Sequence, residues 1–236
     1  MAKVKVIGAG LAGSEAAWQL AQRGVEVELY EMKPQKKSPA HHVDTFAELV
    51  CSNSLKAERV ESAAGLLKEE MRRLGSLCIE CAYKCKVPAG GALAVDRDEF
   101  SRLITERITA HPNITVINKE VTDIPDGNVI IAAGPLASDT LSEKIAEICG
   151  SGLHFFDAAA PIVTLESIDM GSAFCASRYE RGGEDDYINC PMNKAEYEAF
   201  HRELIGAESV ILHEFEKNKE IYEGCMPIEI MAKRGE

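Results

Sequence analysis

The sequence contains no apolar run approaching the ~18 residues of a membrane-spanning helix, which excludes a span of that kind. It shows no secretory leader pattern either, because residues 1–7 run directly into a glycine turn and Glu15 interrupts the apolar residues after it; the expected location is the cytoplasm. Internal repeats and low-complexity stretches are missing. Positive charge is in deficit: 26 Lys and Arg against 38 Asp and Glu leave a net charge of −12. No general field therefore attracts nucleic acid, and any RNA contact needs a local basic patch. Candidate patches are Lys33, Lys36, Lys37, His41 and His42, then Arg72 with Arg73, and Lys84 with Lys86. The plain alternative is an ordinary solvated surface.

What the sequence does contain is ample core material, 46% hydrophobic over 236 residues, enough for one large domain or one domain and part of another. Eight cysteines in a chain of this length and class favour reduced thiols over a disulfide framework. The most informative stretch is VKVIGAGLAGSEAAWQLAQRGVEVELYE, residues 4–31. It reads as strand (3–7), glycine turn, helix (12–22) stopped by Gly24, and a second strand (25–30) ending at an acid. Gly8, Gly10 and Gly13 form G-x-G-x-x-G. Gly8 permits the tight turn, Gly10 lets a pyrophosphate approach the backbone, and Gly13 lets helix and strand pack closely. With Ala9, Leu11 and Ala12 they present the helix N-terminus to phosphate oxygens. Glu31, 18 residues after Gly13, can accept hydrogen bonds from a ribose diol. This stretch supports a dinucleotide site and leaves NAD and FAD both open.

A plain nicotinamide fold would continue with a third parallel strand after one helix. Here a long insertion, about residues 32–95, intervenes. Residues 32–43 read as loop, 58–74 as a helix with Val60, Ala63, Ala64, Leu67, Met71 and Leu74 on one face, and 87–92 as a turn. A helix over 98–110 opens at Asp96 or Asp98, and strands follow at 114–118, 120–124 and 128–132. The last strand runs into Ala133-Gly134-Pro135, and a helix over 136–148 comes next. Beyond Gly150, residues 161–165 read as a strand, 172–190 as polar turns and 194–204 as an amphipathic helix. The order predicts an α/β fold with a parallel sheet.

VIIAAGP at 129–135 and ALAVDRDEF at 92–100, taken with the insertion, resemble FAD-binding proteins of the glutathione-reductase type. In that resemblance Val121 sits where backbone meets the adenine, Lys33 completes an acid-x-basic pattern with Glu31, and Arg97, Ala133 and Gly134 join the cofactor set. Two cysteines stand out in FAELVCSNSLK and YEGCMPIEIMAKRG, namely Cys51 and Cys225. Cys51 has hydrogen-bonding neighbours in Ser52, Asn53 and Ser54, and Lys56 would lower its pKa if close in space. Taken alone, either is more often a buried inert thiol. Cys78, Cys81 and Cys85 are spaced C-x2-C-x3-C, which serves zinc or an iron–sulfur cluster only with a fourth ligand near; ordinary thiols and no metal are expected.

The words VIGAGLAGSEAAWQLA, FAELVCSNSLK, VPAGGALAVDR, IIAAGPLASDTL, FFDAAAPIV and EGCMPIEIMAKRG, in this order, resemble the bacterial folate- and FAD-dependent tRNA (uracil-5-)-methyltransferases over nearly the whole chain. The resemblance implies FAD as cofactor, methylenetetrahydrofolate and NAD(P)H as co-substrates, and the T-loop uridine of tRNA as the methyl acceptor. It implies Cys51 and Cys225 as nucleophile and general base, without ordering them. A thiolate adding to C6 makes C5 of uracil nucleophilic toward the folate methylene, and reduced flavin supplies the hydride that completes the methyl group. It further implies an FAD-binding domain over 1–165 and the beginning of a second domain over 166–236, the N-terminal portion of a longer enzyme. A related flavoprotein that modifies the tRNA wobble uridine, and a non-catalytic nucleotide-binding module, are the alternatives.

Overall fold

The structure is a computed structural model that describes residues 3–150, 163–177, 185–208 and 228–235. Residues 1–153 form one compact unit and 154–236 another.

The first unit opens with β1 (Val4–Ile7), α1 (Leu11–Gln22) and β2 (Val27–Glu31). Gly24 stops α1 at a positive φ of 78°, as its lack of a Cβ allows. Two further strands, β6 (Ile114–Asn118) and β7 (Asn128–Ile131), complete a four-stranded sheet in the order β6-β2-β1-β7. All its pairs are parallel, with Val4 opposite Val27 and Asn128, and Val27 opposite Ile114. The order reverses at β1, so the carboxyl ends of the strands flank a crevice of the kind that holds ligands in open α/β sheets.

Between β2 and β6 lies the insertion: β3 (Ser54–Ala57), α2 (Ala63–Arg73), α3 (Leu77–Lys84), β4 (Lys86–Val87), β5 (Ala92–Val95) and then α4 (Arg97–Thr109). The three short strands form an antiparallel sheet, β3-β5-β4. α4 opens at Asp96, whose carboxylate accepts the Glu99 N–H at 2.9 Å, and buries Phe100, Ile104 and Ile108 at i, i+4 and i+8. α1 buries Ala17, Trp18 and Ala21 in the same core, and α3 adds Leu77, Cys81 and Ala82. Burying such side chains at about 25 cal/mol per Å² of apolar surface is what holds the insertion to the sheet. Glu15 of α1 caps α3 from outside, accepting from the Ser76 hydroxyl at 2.8 Å and the Cys78 N–H at 3.0 Å. The Arg107 guanidinium lies 4.8 Å from the Trp18 ring centroid and pairs with Glu80 at 2.9 Å, which ties α1, α3 and α4 together.

Several local expectations are corrected. α2 begins at Ala63 behind the Ser62 cap, and its expected apolar face is exposed at Leu67 and Leu74. The helix instead turns Gly65 and Lys68 inward: a Cβ at Gly65 would stand 1.8 Å from the Arg59 carbonyl oxygen, and the Lys68 ammonium donates to the Ala57 and Ala64 carbonyls. Residues 120–124 form no strand, because the chain leaves the sheet after Asn118. The helix expected from 136 starts at Asp139, as α5 (Asp139–Cys149), and closes on Gly150 at φ 75°.

In the second unit, residues 161–162 of an expected strand lie outside the described residues, and Leu165–Ser167 is a 3-10 turn. The polar stretch holds a short antiparallel pair, β8 (Phe174–Cys175) with β9 (Ile188–Asn189). α6 (Lys194–Gly206) carries a reciprocal capping box between Asn193 and Glu196, and α7 is Ile228–Ala232. No helix among the described residues is long and apolar enough to cross a membrane.

Candidate functional site

A cleft of about 640 Å³, counting its open mouth, lies at the carboxyl ends of the parallel strands. Its floor is the glycine loop. Gly8 has φ 95° and a Cβ there would meet the Ala133 Cα at 2.7 Å, so the turn after β1 and the turn after β7 touch backbone to backbone. At Gly13 a Cβ would stand 1.8 Å from the Gly8 carbonyl oxygen. At Gly10 a Cβ would meet nothing within 4 Å, although its φ of −71° suits any residue. No steric contact of the fold calls for glycine there. The adjoining N–H groups of Leu11, Ala12 and Gly13 lack intrahelical acceptors, and α1 has no acid in its first turn and no side-chain cap. An open backbone cradle at an uncapped helix N-terminus fits a pyrophosphate.

Glu31 ends β2 with only 7% of its surface exposed. One carboxylate oxygen accepts the Ala9 N–H at 2.9 Å and the other the Lys33 N–H at 3.0 Å. Each oxygen keeps a lone pair for a sugar hydroxyl. Lys33 is 4% exposed; its ammonium donates to the Thr45 carbonyl and lies 3.7 Å from Glu48. Its side chain thus pins the loop that walls the cleft. That loop returns to the floor through the Ala47 N–H, which donates to the Ala9 carbonyl at 2.9 Å. Ala47 adopts a left-handed φ of 51°, a strained backbone for a residue with a Cβ, at the point of contact.

The opposite wall comes from Lys119, Glu120 and Val121 after β6, and from Leu136, Ala137, Ser138 and Leu141 around the start of α5. The Lys36 ammonium, 2.8 Å from Glu120, holds that carboxyl below its usual range, and the Ser138 hydroxyl acts in the same direction without meeting hydrogen-bond geometry. His41 also lines the cleft; burial first, then the Lys33 charge, lower its pKa, and its Nδ1 lies 2.6 Å from the Ser38 hydroxyl.

The structure therefore brings Gly8, Ala9, Gly10, Glu31, Lys33, Val121 and Ala133 around one cleft. Leu11, Ala12 and Gly13 follow in the first turn of α1, and Gly134 adjoins Ala133. Arg97 is not in the lining; it opens α4 and donates to the Leu49 carbonyl at 3.4 Å. Cys51 is exposed on the loop before β3, with Asn53 bonded to both backbone groups of Val95. It lies four residues beyond Ala47, hence within about 14 Å of it by chain length. Cys225 lies outside the described residues. Cys78, Cys81 and Cys85 are buried thiols, their pKa values raised chiefly by burial, that of Cys81 to about 11. Among the described residues no group of three or more His, Cys, Asp or Glu is placed to hold a metal ion.

Most of the basic candidates are paired: Lys36 with Glu120, Lys37 with Asp44, Arg72 and Arg73 with Glu69, Lys84 with Glu80, and Lys86 with Glu58. Exposed pairs are weak, so a phosphate can compete for these cations, but none forms a uniformly positive patch. Sequence reading did not single out Ala47, Glu48 or Ser138 as site residues, because each reaches the cleft through the fold of the insertion or of the β7–α5 turn. His41 was legible only as a basic residue in a loop.

Comparison with known proteins gives the chain a family and relatives. The sequence profile of the family described as glucose inhibited division protein A matches residues 3–236. The chain is 61% identical over 234 residues to the methylenetetrahydrofolate–tRNA-(uracil-5-)-methyltransferase TrmFO of Acetivibrio thermocellus, and 60% identical over 233 residues to that of Bacillus subtilis. Each alignment covers 98% of this chain and 53% of the relative, so the chain spans about half the length of the curated relatives it matches. Among solved structures, GidA of Aquifex aeolicus superposes with a TM-score of 0.43 at 19% identity, over 54% of this chain and 21% of that one. On the family match across nearly its full length, the chain belongs to the glucose inhibited division protein A family.

Proposed function

We propose that this chain holds FAD in the cleft and takes part, through Cys51, in methylation of C5 of the T-loop uridine of tRNA, with methylenetetrahydrofolate as the carbon donor. The observation that carries the proposal is the Ala47–Ala9 backbone bond, which ties the Cys51 loop to the floor of the dinucleotide cradle. The names of the relatives that share 60% of its residues support the substrate class.

The first-turn N–H groups of α1 and the open face of Gly10 hold the pyrophosphate; the Glu31 carboxylate orients the ribose. The Val121 backbone, Ala133 and Gly134 bound the rest of the cofactor, while Lys33 fixes the wall behind it. Arg97, through Leu49, fixes the approach to Cys51 from the α4 side. Bound reduced FAD supplies the hydride that completes the methyl group, and NAD(P)H restores it. The Cys51 thiolate adds to C6 of uracil, and C5 bonds to the folate methylene. Once the C5 proton is gone, the carbon–nitrogen bond holding that carbon to folate breaks, so that tetrahydrofolate leaves. A base, assigned here to Cys225, removes the C5 proton, and the thiolate leaves when C5–C6 unsaturation is restored. The uridine must leave its stack to reach such a site, at a cost of a few kcal/mol.

The test is covalent trapping. T-loop RNA carrying 5-fluorouridine blocks loss of the C5 substituent. Incubated with the protein, methylenetetrahydrofolate and reductant, it should leave an adduct that peptide mass spectrometry places on Cys51. Attachment to neither Cys51 nor Cys225 refutes the mechanism.

A further inference from the structure

Ser138 is the one buried side-chain polar atom without a hydrogen-bond partner among the described residues, and it lines the cleft. Only 8% of the residue is exposed. It stands at the N-cap of α5, the position where a serine ordinarily accepts an N–H from the first turn, yet it makes no such bond. A hydroxyl removed from water and left unpartnered destabilises the protein that carries it, and such atoms are rare in folded chains. One that faces a ligand cleft has a ready reason to persist. The same wall carries apolar Val121, Leu136, Ala137 and Leu141 beside the charged Lys119 and Glu120, and Ser138 is its neutral polar group. Asp139 in the first turn of α5 disfavours a phosphate at this helix end, so this part of the wall suits a flat uncharged ring.

We propose that Ser138 reads the purine base of the bound dinucleotide, its oxygen accepting a hydrogen bond from the exocyclic amine of adenine. The polarity of that bond follows from Glu120, an acceptor-only carboxylate on the same wall. Glu120 attracts the hydroxyl proton and leaves the oxygen lone pairs for a donor. The lowered pKa of Glu120, set mainly by Lys36 and secondarily by Ser138, keeps it ionised for this role. The assignment rests on the dinucleotide reading of the cleft and adds the residue that would distinguish adenine from a base carrying a carbonyl at the same position.

The experiment compares the 236-residue chain with its Ser138→Ala and Ser138→Gly variants. FAD binding is followed by flavin fluorescence, and ADP and IDP serve as competitors. IDP carries a carbonyl where ADP carries the amine. Removing one neutral hydrogen bond should weaken FAD about fivefold to tenfold in both variants. The preference for ADP over IDP should shrink to about twofold or less as that bond is lost. Without ligand, the melting temperature of Ser138→Ala should stay level or rise, because an unsatisfied buried group has gone; a merely structural serine would lower it. Wild-type affinity for FAD in either folded variant overturns the assignment and leaves the dinucleotide reading standing. Weakened FAD binding with the ADP preference intact also overturns the base contact. Failure of the unaltered chain to bind FAD or ADP overturns the dinucleotide reading, and this inference with it.

Discussion

Replacing Gly10 and Gly13 by alanine, one at a time, separates a glycine kept for a ligand from one kept for packing. At Gly13 the new methyl would lie 1.8 Å from the Gly8 carbonyl oxygen, a backbone atom that cannot rotate aside. Helix α1 must then shift off β1, and overpacking of this kind costs about 3 kcal/mol or slightly more. In a unit of this size that loss lowers the melting temperature by roughly 6–12 °C. At Gly10 the methyl meets nothing within 4 Å, and a φ of −71° is ordinary for alanine. The poorer N-cap and the smaller unfolded-state entropy offset one another within about 0.5 kcal/mol. The same methyl, however, occupies the space in which a pyrophosphate reaches the first-turn N–H groups. Losing one bond to a charged acceptor, about 1.5 kcal/mol, already weakens binding about tenfold. Differential scanning fluorimetry without ligand and FAD titration by fluorescence report the two effects independently. An unaltered melting temperature in Gly13→Ala, or unaltered FAD affinity in Gly10→Ala, refutes the division of roles.

Glu15→Ala should lower stability by about 2–3 kcal/mol, because it strips the charged acceptor from the Ser76 hydroxyl and the Leu77 and Cys78 N–H groups at the start of α3; an unshifted urea midpoint would contradict this. Glu80 has its carboxyl lowered from 4.5 to about 2 by Arg107 first and Lys84 second. A depressed folded-state pKa contributes stability that is present above 4.5 and lost as pH falls toward 2. The Glu80→Gln variant should therefore lose less stability than the parent over that window, as acid titration of the melting temperature would show. Brief alkylation at pH 8 should mark exposed Cys51 well before Cys78, Cys81 and Cys85, which are buried with raised pKa values; peptide mass spectrometry gives the order, and early labelling of Cys81 would contradict it.

Residues 4–31 were legible as strand, turn, helix and strand because every signal in them is local: β-branched runs, glycines at turn positions and a helix-forming segment between. The place of Glu31 at the end of β2, beside the glycine turn, was legible for the same reason, its spacing from the glycines being a property of the chain. The α4 helix and strands β6 and β7 followed from equally local punctuation. The insertion was legible only as an insertion with one helix, α2, and a turn; its strands were not. Strands β3, β4 and β5 are two to four residues long and exist through pairing with one another, which no periodicity in so short a run reports. In α2 the apolar residues pointed to one face, but the tight approach of Gly65 to Arg59 and the bonding of Lys68 to two carbonyls turned the helix the other way.

The sequence by itself determined the strand, glycine turn, helix and acid-ended strand of residues 4–31, a pattern that supports a dinucleotide site within 28 consecutive residues. It also marked Cys51 through its polar neighbours. Only the tertiary structure decided what surrounds the cradle. Ala47 reaches Ala9, and Glu31 secures Ala9, by bonds between segments well apart in the chain. Ser138 enters the cleft wall from a turn after β7, together with residues that follow β6 at the other edge of the sheet. Such contacts depend on where the sheet order places strand ends, and that order is set by packing over the whole unit rather than by any one stretch of residues.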